Sequence, residues 1–187
     1  MDEGLNLNEH IRDIQEISIA IDSWDDIFSD FDPSPLELRV LSEDFLFELR
    51  KRYRETQRGN YIITLYAPIT FKDDNTERIV IKRLKQYFKF RFLSLTRELN
   101  HHRAKGGLFI VLGVGALGTM SMVAFFKLLS QLQSELLGIV LVPLGWFGIW
   151  EGFSRIIEPA PKLTQDLELY SKLAKVTIKF KYAGQVK

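Results

Sequence analysis

Hydrophobic and polar positions along the chain follow two periods, and each period predicts elements. Ile17, Ile19 and Ile21 alternate with Ser18, Ala20 and Asp22, the period-2 signature of a half-buried strand. Residues 61–67 are β-branched and aromatic and are stopped by Pro68, which predicts a second strand. Val176, Ile178, Phe180 and Tyr182 alternate with Thr177, Lys179 and Lys181, a third strand with one wet face, placed by that pattern at a sheet edge or facing a membrane surface.

Between the first two strands the period changes. Ser42 reads as an N-cap with Glu43 and Asp44 in the first turn; Phe45, Leu49 and Tyr53 recur every fourth residue, and Gly59 ends the helix. These elements predict a parallel, right-handed β-α-β unit. After a cap at 72–76, a long amphipathic helix is predicted from Glu77. Val80, Leu84, Tyr87, Phe88, Leu95 and Leu99 form its apolar face, with Arg78, Lys82, Arg83, Lys85 and Lys89 on the others. Pro159 and Pro161 mark a break, and residues 163–174 read as a further helix.

In the middle of the chain periodicity gives way to continuous apolar sequence. Residues 106–126 carry no charged side chain, and about 20 such residues span a hydrocarbon core of roughly 30 Å. Residues 136–150 form a second, shorter uncharged run that continues past Glu151 to Phe153, Ile156 and Ile157. Glu151 and Arg155, one turn apart, can pair at the boundary, and Trp146 and Trp150 suit an interfacial belt. The short turn at 127–135 then makes a transmembrane hairpin. Arg91, Arg97, Arg103 and Lys105 precede the first span, and Arg155 and Lys162 flank the exit of the second. Positive flanks stay inside, so both termini are expected in the cytoplasm.

Composition changes this picture in three ways. The chain has 187 residues and no cysteine, which removes disulfides, thiolate metal sites and thiol catalysis. Its start, acidic and polar, lacks the basic and apolar regions of a signal peptide. The formal net charge is only +1, but the charges are segregated. Residues 2–48 are acidic apart from Arg12 and Arg39, whereas basic residues dominate 50–105 by about three to one. Lys82, Arg83, Lys85, Lys89, Arg91, Arg97, Arg103 and Lys105 are therefore expected to meet anionic headgroups; because this helix leads into a membrane, nucleic acid is not the expected partner.

Candidate chemistry is sparse. The acidic stretch at 22–35 holds Asp22, Asp25, Asp26, Asp30 and Asp32, oxygen donors for Mg²⁺ or Ca²⁺ at the end of a strand, but their spacing matches neither an EF-hand loop nor a strand-end D-x-D. The same stretch offers Trp24, Ile27, Phe28 and Phe31 as a docking surface for a cytoplasmic protein, or as core residues with the carboxylates as turn caps. Gly113, Gly115 and Gly118 spell G-x-G-x-x-G, yet the helix that follows is apolar all round and no acidic strand end lies about 20 residues on, so close helix packing is the simpler reading. His101 and His102, adjacent on a helix, point in different directions and make a poor metal pair. No ionisable residue lies in either uncharged run, where a transporter would display one. Gly138, Gly145 and Gly152 recur every seventh residue with Gly148 between, and Gly115, Gly118 and Thr119 offer a second small-residue face. One face suffices to close the hairpin, so the other is expected to join protomers.

These readings predict a small cytoplasmic α/β (α+β) domain with a three-stranded sheet. It is built from residues 1–105 and 158–187 and interrupted by a transmembrane hairpin at 106–157. The function expected is that of a membrane-anchored, non-enzymatic, self-associating interaction or scaffold protein without a cofactor. An oligomeric effector or pore that perturbs the bilayer is the alternative, and a metal-dependent membrane enzyme using the Asp-rich loop is the third.

Overall fold

The computed structural model describes residues 14–55, 60–158 and 160–183. Strand β1 (Ile14–Ala20) is followed by a 3-10 turn at Trp24–Asp26, helix α1 (Glu43–Glu55), strand β2 (Asn60–Pro68) and a second 3-10 turn at Ile69–Phe71. Helix α2 (Asp74–Phe126), helix α3 (Gln131–Ile157), helix α4 (Pro161–Leu173) and strand β3 (Thr177–Ala183) complete the order. The chain is mostly helical around one small parallel sheet. It forms two compact units: one takes in the described residues up to Phe92 and from Glu168 onward, and the other is Leu93–Leu167. Helices α2 and α4 each run through the boundary.

In the first unit the strand order is β1-β2-β3, both pairs parallel. The C-terminal strand thus joins the N-terminal two, and it lies at an edge, as its wet face predicts. Ile17 stands beside Ile63, which stands beside Ile178; Ile19 stands beside Leu65, which stands beside Phe180. This is the face that is buried, and with Phe45, Leu46, Leu49, Val80, Leu84, Phe88, Leu169, Tyr170 and Leu173 it makes the core. Each such side chain fully buried contributes about 1.5–3 kcal/mol. Tyr53 of α1 stacks against Tyr61 of β2 at 5.1 Å rather than entering the core. On the other face Lys181 pairs with Glu16 at 2.9 Å and lies over Tyr66. A hydrogen bond from Thr64, with that from Lys181, holds the Glu16 carboxyl below its ordinary pKa.

Boundaries shift where capping decides them. Helix α2 begins at Asp74, not Glu77, because the Asp73 carboxylate accepts from the Asn75 and Thr76 backbone at 3.2 and 3.1 Å. It continues for 53 residues and stays helical through Gly106 and Gly107. Helix α3 starts at Gln131, earlier than the expected turn ends, because Ser130 and Gln133 form a capping box. The turn is reduced to 127–130, with Lys127 in the left-handed region at φ 49°. Gly59 and Pro159, read as element ends, fall outside the described residues.

Two helices, α2 and α3, are long and apolar enough to cross a membrane. Only 11% and 17% of the most apolar stretches is buried. A core helix of a globular domain would be mostly buried; these instead expose Leu108, Val111, Leu112, Phe125, Leu136, Ile139, Val140, Leu144, Phe147 and Trp150.

Candidate functional site

The acidic loop separates into anchors and one free aromatic. Ser29 donates its backbone N–H to Val40 O at 2.9 Å, Ser42 donates to Ile27 O at 2.9 Å, and Phe28 bridges Leu41. This pinch drives Ile27 and Phe28 inward, both 0% exposed. They are core residues and cannot meet a partner, which corrects their reading as docking side chains. Trp24 is half-buried, edge-on to Phe180 at 5.6 Å and to Phe71 at 6.2 Å. Phe31 alone of the four projects outward, 97% exposed.

The carboxylates of the loop have separate local roles. Asp26 accepts from the backbone N–H of Ser23 at 3.0 Å and of Asp22 at 2.5 Å, closing the 3-10 turn. Asp25 pairs with Arg39 at 2.9 Å. Asp32 accepts from Ser34 N–H at 3.0 Å and Val40 N–H at 2.8 Å. The Ser34 hydroxyl, then these N–H groups, hold the Asp32 carboxyl below its ordinary pKa. Among the described residues no three His, Cys, Asp or Glu side chains gather as a metal site. Asp26 and Asp32 are turn and cap groups and Asp25 is an ion-pair partner, so the Asp22, Asp25, Asp26, Asp30 and Asp32 set does not converge as a ligand cluster.

The basic face of α2 is likewise divided. Arg83 is half-buried and donates to the backbone oxygens of Arg39 and Leu38, both at 3.0 Å, so it fastens the acidic loop to the helix instead of facing headgroups. Arg78, Lys82, Lys85 and Lys89 are exposed and, with Ile81, Gln86 and Ala174, line a shallow hollow of about 440 Å³. A second hollow of about 290 Å³ is lined by Glu37, Leu38, Ile79, Lys82, Arg83 and Gln86. Arg91, Arg97, Arg103 and Lys105 are exposed.

The second unit is built on a glycine seam. A Cβ at Gly152 would stand 2.5 Å from Gly106 O, and one at Gly113 would stand 2.6 Å from Gly145 O and 2.8 Å from Ile149 N. A Cβ at Gly148 would reach Phe109 O at 3.0 Å, and one at Gly138 would reach Met120 Cε at 3.2 Å. Steps of seven along α2 (Gly106, Gly113, Met120) are answered by steps of seven back along α3 (Gly152, Gly145, Gly138), an antiparallel seam in which backbones touch. Gly145, Gly148 and Gly152 thus pack as their spacing predicts, but their partners are Gly106 and Gly113. A Cβ at Gly115 or Gly118 would meet nothing within 4 Å, so among the described residues these two line no seam. The G-x-G-x-x-G glycines all lie inside continuous helix, without the strand-to-helix turn that a phosphate loop needs. Beyond the seam, Arg155 pairs with Glu151 at 2.7 Å and lies over the Phe109 ring at 4.8 Å.

No protein-family model, curated protein or solved structure matches this chain.

Proposed function

We propose that the chain is a membrane-anchored, non-enzymatic interaction protein that associates with itself, held by a two-helix hairpin with both termini in the cytoplasm. One observation carries the anchoring: α2 and α3 close against each other through backbone at the glycine seam and turn their large apolar side chains outward. Exposed apolar surface beyond a few hundred Å² needs a cover, and for a hairpin with no ionisable residue in 106–126 or 136–150 lipid is the fitting one. Pro143 inside α3 fits the same solvent, since membrane helices tolerate helix breakers where neighbouring groups compensate. The basic flanks at Arg97, Arg103 and Lys105 set the orientation.

Interaction rather than catalysis is favoured because Asp25, Asp26 and Asp32 of the acidic loop are engaged locally, while an aromatic side chain and several cations stand exposed. Self-association draws on the open glycines: with Gly106 and Gly113 closing the hairpin, Gly115 and Gly118 remain for a helix of another protomer. Alkaline carbonate washing of membranes followed by crosslinking in the bilayer tests the proposal. The protein should stay in the membrane pellet and crosslink to multiples of the chain. Release into the wash would refute the anchor; a chain that is only ever monomeric in lipid would refute self-association.

A further inference from the structure

Two features of the first unit lack an occupant, and they match. Phe31 stands 97% exposed at the tip of the acidic loop, with Asp30 exposed beside it. The 290 Å³ hollow has Leu38 and Ile79 as apolar walls and Lys82 at its rim. A cavity of about 150 Å³ already holds a benzene ring, so one phenyl group fits. Among the described residues neither Asp30 nor Lys82, Lys85 or Lys89 has a hydrogen-bond or ion-pair partner. The chain therefore carries an aromatic knob flanked by acid and a hollow with apolar walls, whose lining holds Lys82 and Arg83 beside the single acid Glu37.

The knob and the Leu38 wall of the hollow belong to one loop, and the opposite wall, Ile79, is on α2. Asp32 accepts from Val40 N–H at 2.8 Å and Ser29 donates to Val40 O at 2.9 Å, which brings the Phe31 end of the loop close to the Leu38 end. Arg83 ties the Leu38 end to α2 through the Leu38 and Arg39 carbonyls. A surface that carries a protrusion and its complementary hollow side by side is self-complementary, the requirement for a two-fold contact in which each copy gives and receives.

We propose that the first unit docks on a second copy of the same chain, Phe31 of each copy entering the hollow between Leu38 and Ile79 of the other, with Asp30 facing Lys82. The proposal rests on the reading that the chain self-associates, and it names the surface in the soluble part that does so. An anionic lipid surface is the poorer occupant, because Asp30 and Asp32 beside the aromatic would be repelled by it. Anchoring in one membrane raises the effective concentration of copies and favours a contact of this modest size.

The absence of cysteine from the chain makes a clean test possible. Two differently tagged full-length chains, one D30C and the other K82C, are co-reconstituted in liposomes and oxidised. A disulfide joining the two tags is expected. Adding F31A to both chains should lower its yield about tenfold, as for a central aromatic anchor. In cysteine-free chains D30K and K82E should each weaken self-association measured by energy transfer in the same liposomes, and D30K with K82E in one chain should restore it. Phe31 is fully exposed, so an unchanged melting temperature for F31A is expected and separates docking from folding. The proposal is overturned if the chain self-associates but forms no mixed-tag disulfide. It is equally overturned if the yield follows anionic lipid content and ignores F31A, or if the double reversal fails to restore what each single one removes. If the parent chain is monomeric, the self-association reading itself falls; if F31A leaves the D30C–K82C disulfide yield unchanged in a chain that is oligomeric, that reading stands and this surface falls.

Discussion

At the scale of single residues, two phenylalanines three positions apart carry opposite roles. Phe28 is sealed by its bridge to Leu41, and Phe28→Ala should cost the first unit about 3–5 kcal/mol. Phe31→Ala should change its stability by less than about 0.5 kcal/mol. Denaturant titration with proteolysis as the probe reads both; equal effects would mean that the loop is not pinned as described. Which aromatic was which was not legible in the sequence. Phe28 and Phe31 have similar neighbours, and what separates them is the pairing of 27–29 with 40–42, a contact that no local pattern announces. The Asp residues were read as caps or as ligands, and the cap role shows only once Val40 N–H and Arg39 are seen to reach them. Asp32 also predicts a pH dependence. Its folded pKa lies below the ordinary value, so its contribution is present above about pH 4, near the unfolded value, and is lost as the pH falls through the folded pKa. Asp32→Asn should therefore flatten the acid limb of a stability–pH curve and leave the shape of the neutral region unchanged.

At the scale of elements, the strands and the apolar runs were the most legible parts, because period-2 alternation at 17–21 and 176–182 and unbroken hydrophobicity at 106–126 each admit few alternatives. The seam was half legible. Gly138, Gly145 and Gly152 announce themselves by their spacing, but Gly106 belongs to no spaced set and Gly113 sits in a nucleotide-binding look-alike. Folding the two runs back on each other about the turn at 127–130 matches Gly106 and Gly113 to Gly152 and Gly145, and that alignment was the available signal. Gly152→Leu and Gly113→Leu should force the helices apart, because the added Cβ meets backbone oxygen at 2.5 and 2.6 Å. Gly115→Leu should leave the hairpin closed and, under the self-association reading, loosen contact between protomers. Crosslinking of M120C to G138C by a short bis-maleimide reports hairpin closure: its yield should fall with Gly152→Leu and hold with Gly115→Leu, and the reverse ranking would refute the seam. Strand β3 is held by its ladder to β2 and by the hydrogen bond from the Tyr182 hydroxyl to Glu77. Deleting 176–187 should abolish cooperative unfolding of the first unit, since it strips Ile63 and Leu65 of their neighbours. A truncated chain that still unfolds in one sharp transition would show that β3 is dispensable.

At the scale of the whole molecule, the segregation of charge gains a structural sense: acid is spent on the loop that ends β1, base on the helix that follows β2. The near-zero net charge conceals charges segregated along the chain, acidic over 2–48 and basic over 50–105, and opposite charges are the condition for complementarity between copies. Anchoring of this kind requires above all that the hairpin cross a bilayer with its turn on the far side. In the cysteine-free chain, S130C in the turn and K175C beside β3 can be labelled separately with a membrane-impermeant maleimide on intact cells and again after permeabilisation. With the turn on the far side, S130C reacts on intact cells and K175C only once the membrane is opened. Reaction of both only after permeabilisation, or of K175C on intact cells, would contradict it.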